Sequence, residues 1–209
     1  MVQVNFTKMV SLWGDLVKFI CYYDCGRGSQ EELAPRWAAF HKREDGSMSK
    51  SIVDLLNIEL TDICSAERLV FGALPGIRSK VSSDRLRKML DEHLGQTEAQ
   101  LRRLQMIFSE LELEADHARC SKVVEQLLVQ AEESFLDLLA GPALDCAIIS
   151  ALQRLEHYQM AAYASAGIFS RILGRTRIAQ LLSKTHADKL NSDSLLSQIA
   201  EGLFAPVSP

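Results

Sequence analysis

The chain lacks a paired cysteine framework: its five cysteines, Cys21, Cys25, Cys64, Cys120 and Cys146, are odd in number and scattered. Such a set points to reduced thiols in a cytoplasmic setting and away from a disulfide-stapled secreted scaffold. Cys21 and Cys25 are closely spaced, but no second pair follows to complete a zinc site. Glycine and proline are scarce, at 11 and 5 of 209 residues, which favours long helices over turn-rich architectures. No alternating β-branched run is bounded by hairpin turns. No segment approaches the ~18 apolar residues of a spanning helix. The apolar N-terminus is broken by Gly14, Asp15 and Lys18 and carries no small-residue cleavage pattern, so neither a secretory signal nor membrane association is expected. An excess of basic charge is missing as well. With 23 basic and 27 acidic side chains the net charge is −4, which gives no electrostatic footprint for nucleic acid. Glycine-rich phosphate loops, dinucleotide fingerprints and a Ser-His-Asp order are absent.

What is present is helical periodicity. Phe6, Met9, Val10, Trp13, Leu16, Val17 and Ile20 recur at intervals of three and four, the pattern of an amphipathic helix. A short helix is expected over about residues 31–41, followed by a polar stretch at 42–47. Residues 1–47 thus read as an N-terminal helical extension and 48–209 as the main domain. Five helical segments are expected there. The first covers about 51–74 and stops near Pro75-Gly76, with room for a further turn beyond; the second covers 84–113. A shorter third covers 121–139 and is closed by Gly141-Pro142. The fourth covers 143–173 and ends at Gly174, and the fifth covers 176–203. Helix pair, short connecting helix, helix pair is an all-α arrangement, that of a ferritin-like four-helix bundle with one long crossover.

The apolar stripes of the four long segments break at corresponding places. On the second, Leu86 and Leu90 give way to His93, Thr97 and Gln100 before Leu104 and Ile107 resume. The first carries Glu67 between Ile63 and Val70, and the fourth carries Glu156 and Gln159 between Leu152 and Tyr163. The fifth places Thr185, Lys189 and Ser192 between Leu182 and Leu196. A single charge at such a position is commonly a boundary residue whose end reaches water. Four coincident interruptions near mid-helix predict a buried polar layer of Glu67, His93, Thr97, Gln100, Glu156, Gln159 and Lys189. Burying those charges unpaired would cost several kcal/mol, so they need a shared reason, and an inward-facing metal centre is the ordinary one in such bundles.

Ser65-Ala66-Glu67-Arg68-Leu69 with Ala73-Leu74-Pro75, then Glu92-His93-Leu94 with Thr97 and Arg102-Arg103-Leu104, resemble the first helical pair of the YciE/YciF family. Ala147-Ile148-Ile149-Ser150-Ala151, leading into Leu155-Glu156-His157-Tyr158 and Ala161-Ala162-Tyr163, resembles its most diagnostic stretch. The likeness runs from about Met48 to Phe204. It implies a ferritin-like fold, an association with stress responses and a di-metal centre of carboxylates and histidines. Glu67 and Glu156 match the single carboxylates of the first and third bundle helices. Elsewhere the chain departs from the family. Gly95 and Gln96 stand where an acidic pair is usual, Gln100 where a histidine is common, and Gln159 where Glu is common. Ala187, Asp188 and Lys189 replace an acidic run. Each change removes a donor or negative charge, and glutamine amides are poor ligands for iron or manganese.

These departures imply a non-catalytic member with a degenerate di-metal site and no cofactor, acting as a stress-related or protein-interaction protein. Lys189 is expected to neutralise Glu67 and Glu156, against the simpler possibility that it extends to solvent. The alternative is an iron- or manganese-binding protein or oxidoreductase that uses Glu67, His93 and Glu156, with Glu98 or Asp188. A homo-oligomer or a protein partner is expected. The literal Glu-x-x-His at Glu114 and His117 lies in the crossover approach, off the core stripes.

Overall fold

The computed structural model describes residues 51–113 and 120–204. The extension over 1–47, Cys21 and Cys25, and the Glu114/His117 pair lie outside the described residues. Five helices and no strand occur among those described: α1 (Ile52–Lys80), α2 (Asp84–Glu110), α3 (Lys122–Phe135), α4 (Pro142–Ile172) and α5 (Thr176–Leu203).

Local chemistry sets the helix ends. Ser51 and Asp54 form a reciprocal capping box that opens α1, satisfying two otherwise orphan donors. Pro142 begins α4, where its missing N–H costs nothing. Gly174, at φ +68°, turns the chain out of α4 in a conformation that glycine adopts without strain. The expected stop at Pro75-Gly76 is not observed. α1 runs through Pro75 to Lys80, because the residues beyond it have a core to join. Ile77 is buried at the far end of α1 and Val81 just past it. Burying two such side chains contributes roughly 3–6 kcal/mol, enough to offset the ~3 kcal/mol of a proline inside a helix. α3 ends four residues earlier than expected, at Phe135. Leu136 and Leu139, which would have prolonged it, are 79% and 89% exposed, so neither gives a further turn a buried face.

α1 packs against α2 and α4, α4 against α5 along their length, and α2 against α5, with α3 laid over α4 and α1. The long crossover follows from where α4 starts. The buried carboxylate of Asp145, in the first turn of α4, accepts hydrogen bonds from the Ser82 and Ser83 amides of the α1–α2 turn at 2.9 and 2.8 Å. The chain leaving α2 at the opposite end must therefore traverse the bundle before α4 can begin. The crossover is fastened on the way: the Ser121 amide donates to Ser65 Oγ at 2.8 Å.

Two apolar clusters fill the interior. One gathers Val70, Leu74, Leu86, Leu90, Ile148, Leu152, Leu196 and Ile199. The other gathers Leu56, Leu60, Ile63, Leu104, Ile107, Tyr163, Ile178 and Leu182. Between them the four long helices present polar side chains.

Candidate functional site: a buried charged belt

The residues between the two clusters are buried almost completely. Glu67, Thr97 and Lys189 have no exposed surface, and His93, Gln100, Glu156 and Gln159 are at most 3% exposed. Each sits mid-helix, between the two apolar clusters.

Lys189 stands at the centre. Its Nζ donates to Gln159 Oε1 at 2.9 Å and to Glu67 Oε2 at 3.3 Å. It also lies 3.3 Å from Glu67 Oε1 and 3.6 Å from Glu156 Oε2. The solvent-facing alternative for this lysine does not match its zero exposure. The Tyr163 hydroxyl donates to Glu67 Oε1 at 2.9 Å. Burial, and then the Glu67 charge, hold that phenol well above its ordinary pKa, so it remains a donor. His93 turns Nε2 toward Glu156 Oε1 at 3.2 Å, without alignment for a hydrogen bond. Thr97 spends its hydroxyl on the His93 carbonyl at 3.0 Å.

One ammonium faces two carboxyl groups, and the electrostatics show the imbalance. Burial pushes the Glu156 carboxyl up to about 7, with Lys189 opposing the rise and Glu67 adding to it. Burial, reinforced by the Lys189 charge, pushes the His93 imidazole down to about 3, leaving it neutral at physiological pH. Several buried atoms have no hydrogen-bond partner among the described residues: His93 Nδ1, Gln100 Oε1, both oxygens of Glu156 and Gln159 Nε2.

The belt extends toward the surface along the α2–α5 seam. Arg103 Nη1 donates to Asp188 Oδ2 at 2.7 Å and to Thr185 Oγ1 at 3.0 Å. Ser192 donates to Gln96 Oε1 at 3.2 Å. Asp188 is thereby engaged by Arg103 at the rim. Glu98 pairs with Arg102 on the exposed face of α2 at 2.7 Å. Neither reaches Glu67 or Glu156. The part played by Tyr163 was not anticipated from the sequence. Its signal was available, because a tyrosine on a core stripe needs a partner for its hydroxyl. Arg103 carried no such signal, since the helical pattern places it beside the stripe.

The donors present do not fit a binuclear iron or manganese centre. Such centres draw carboxylates and imidazoles from four helices, whereas here Glu67, Glu156 and His93 are the only ones in the belt. The Lys189 ammonium stands within 3.6 Å of both glutamates, where it takes the place of a cation. Among the described residues no group of three or more His, Cys, Asp or Glu side chains is arranged to hold a metal ion.

Comparison with known proteins places the fold. The profile of the domain of unknown function DUF892 matches residues 51–206. The protein YciF of Escherichia coli (strain K12) is 30% identical over 152 residues, covering 72% of this chain and 91% of YciF. The crystal structure of the E. coli stress protein YciF superposes with a TM-score of 0.72 at 27% identity, covering 76% of this chain and 99% of that one. YcfI from Rhodopseudomonas palustris gives a TM-score of 0.69 at 26% identity over 73% of this chain and 97% of its own. With its helical bundle matched from end to end, the chain belongs to the DUF892 family, the YciF-type ferritin-like helical bundles.

Proposed function

We propose that this chain is a non-catalytic, stress-related member of its family, whose belt is a structural core and whose work is done by the outer faces of the bundle. The observation that carries this proposal is the Lys189 ammonium, in contact with Glu67, Glu156 and Gln159. A tethered ammonium neutralises buried carboxylates by charge-assisted hydrogen bonds and supplies no redox or Lewis-acid chemistry. The proposal includes a cytoplasmic setting, self-association or a protein partner, and a division of the chain into an extension over residues 1–47 and a bundle domain over 48–209. It predicts that protein purified without chelator carries no stoichiometric metal by elemental analysis. Near-stoichiometric iron or manganese would defeat it.

That defeat would favour the alternative, a metal-binding protein or oxidoreductase with the reduced ligand set Glu67, His93 and Glu156. The feature that favours it is the Glu156 carboxyl, both of whose oxygens lack a hydrogen-bond partner among the described residues.

A further inference from the structure

Charge is segregated along the second half of the chain. Residues 123–153 hold Glu125, Glu132, Glu133, Asp137 and Asp145 and no lysine or arginine. Residues 157–187 hold Arg171, Arg175, Arg177 and Lys184 and no aspartate or glutamate. The fold sends the exposed members of these two sets to opposite ends of α4, whose 31 residues span about 45 Å. At its start, the connection from α3 presents Leu136 and Leu139, 79% and 89% exposed, beside the exposed Glu132, Glu133 and Asp137. At its end lies a groove of about 410 Å³, lined by Arg171 of α4 and by Thr176, Ala179, Gln180, Ser183 and Lys184 of α5. Ile168 and Ile172, on the same last turns of α4, are 47% and 65% exposed. α5 opens there with no side-chain cap and no acidic residue in its first turn. Glu110 engages Arg177 at 3.5 Å, while Arg171, Arg175 and Lys184 have no carboxylate partner among the described residues.

We propose that this groove receives the α3–α4 connection of a second copy of the chain, in a head-to-tail contact. Each property of the connection has its counterpart at the groove. Leu136 and Leu139 enter between the aliphatic stems of Arg171 and Lys184, against the buried Ala179. Glu132, Glu133 and Asp137 meet the cations and the uncapped first turn of α5, where negative charge is stabilised. The occupant comes from another copy, because the chain's own connection stands at the far end of α4. Such a contact is heterologous. Each pairing leaves one groove and one connection open, so assembly continues into a ring or a filament. The contact is small and rich in charge, which makes it weak and sensitive to salt. It rests on the proposal above that the outer faces of the bundle do the protein's work.

The test is sedimentation velocity on the full chain over a range of concentrations, alongside the variants L136S/L139S and R171E/K184E. All four substitutions replace exposed side chains, and circular dichroism checks that the helices are kept. Wild type is expected to gain mass with concentration. That gain should be lost at about 1 M salt, where charges farther apart than roughly 3 Å are screened. Each variant alone should hold one size at every concentration. Their equimolar mixture should assemble, because L136S/L139S brings an intact groove and R171E/K184E an intact connection. Wild type of a single size throughout overturns the contact. A variant that assembles alone, or a mixture that does not assemble, overturns it as well. Metal content is measured separately from these sizes, so failure of the contact is distinguishable from failure of the non-catalytic proposal.

Discussion

Lys189→Met isolates the belt chemistry at the level of one residue. It keeps a long, unbranched side chain in place and removes only the charge. Stranding two buried carboxylates without their cation costs about 3–5 kcal/mol, to be read as a fall in unfolding free energy by urea titration. A loss below about 1 kcal/mol would mean that the glutamates are neutralised by something else. His93 supplies a pH signature. Its folded pKa is about 3 against an ordinary 6.5, so its stabilising contribution is complete above 6.5 and is lost as pH falls toward 3. Glu156 has the opposite sign. Its folded pKa of about 7 against 4.5 gives a contribution that is complete below 4.5 and is lost as pH rises through 7. Between 6.5 and 4.5 the two slopes oppose each other, each up to about 1.4 kcal/mol per pH unit. The stability difference between wild type and H93Q should therefore shrink on acidification below 6.5. A difference independent of pH would contradict the burial of a neutral imidazole. The belt residues could be read from the sequence because each interrupts a stripe that is otherwise apolar. The second donor to Glu67, Tyr163, was harder to foresee. Tyr163 counts as apolar in a periodicity argument, and its hydroxyl matters only once Glu67 is seen to lie opposite.

At the scale of elements, Pro75 is the informative position. The proline is exposed inside α1, and the helix continues past it because Ile77 and Val81 are buried beyond. Pro75→Ala restores a backbone donor at a site whose flanks are already helical. It should stabilise the fold by roughly 1–3 kcal/mol, the helix-propensity gain less the stiffening that proline gives the unfolded chain. A thermal melt that moves down would show that the proline ring makes a packing contribution of its own. The error in reading Pro75-Gly76 as a stop has a general cause. Local breakers are visible in a sequence, whereas the tertiary burial that overrides them depends on neighbours such as Leu144 and Ile148, far along the chain. The same cause explains α3. Its amphipathic pattern ran on to Leu139, yet its fully buried side chains are Val124, Ala131 and Phe135, and past Phe135 only Leu138 still packs, partly buried, against the core.

For the molecule as a whole, the topology followed from lengths alone. Two long helices, a short one and two more long ones, in that order, leave few ways to bury four stripes at once. The capping of the α1–α2 turn by Asp145 was not legible, because a carboxylate in the first turn of a helix ordinarily serves its own helix. The route of the crossover over Ser65 was likewise hidden. Buried Thr61 and Ser65 look like solvent-facing positions until the crossover with α3 packs on α1.

The placement of one ammonium between two oily halves also fixes the axial register of α5. A helix bounded only by leucines could slide by a turn, about 5.4 Å, and find similar packing. Here such a slip would drag Lys189 away from Glu67 and Glu156 to the level of Ile63 or Val70 on α1, stranding a charge in hydrocarbon. The bundle therefore has a single way to zip, keyed by one positive charge that meets its counter-ions at only one height along the axis.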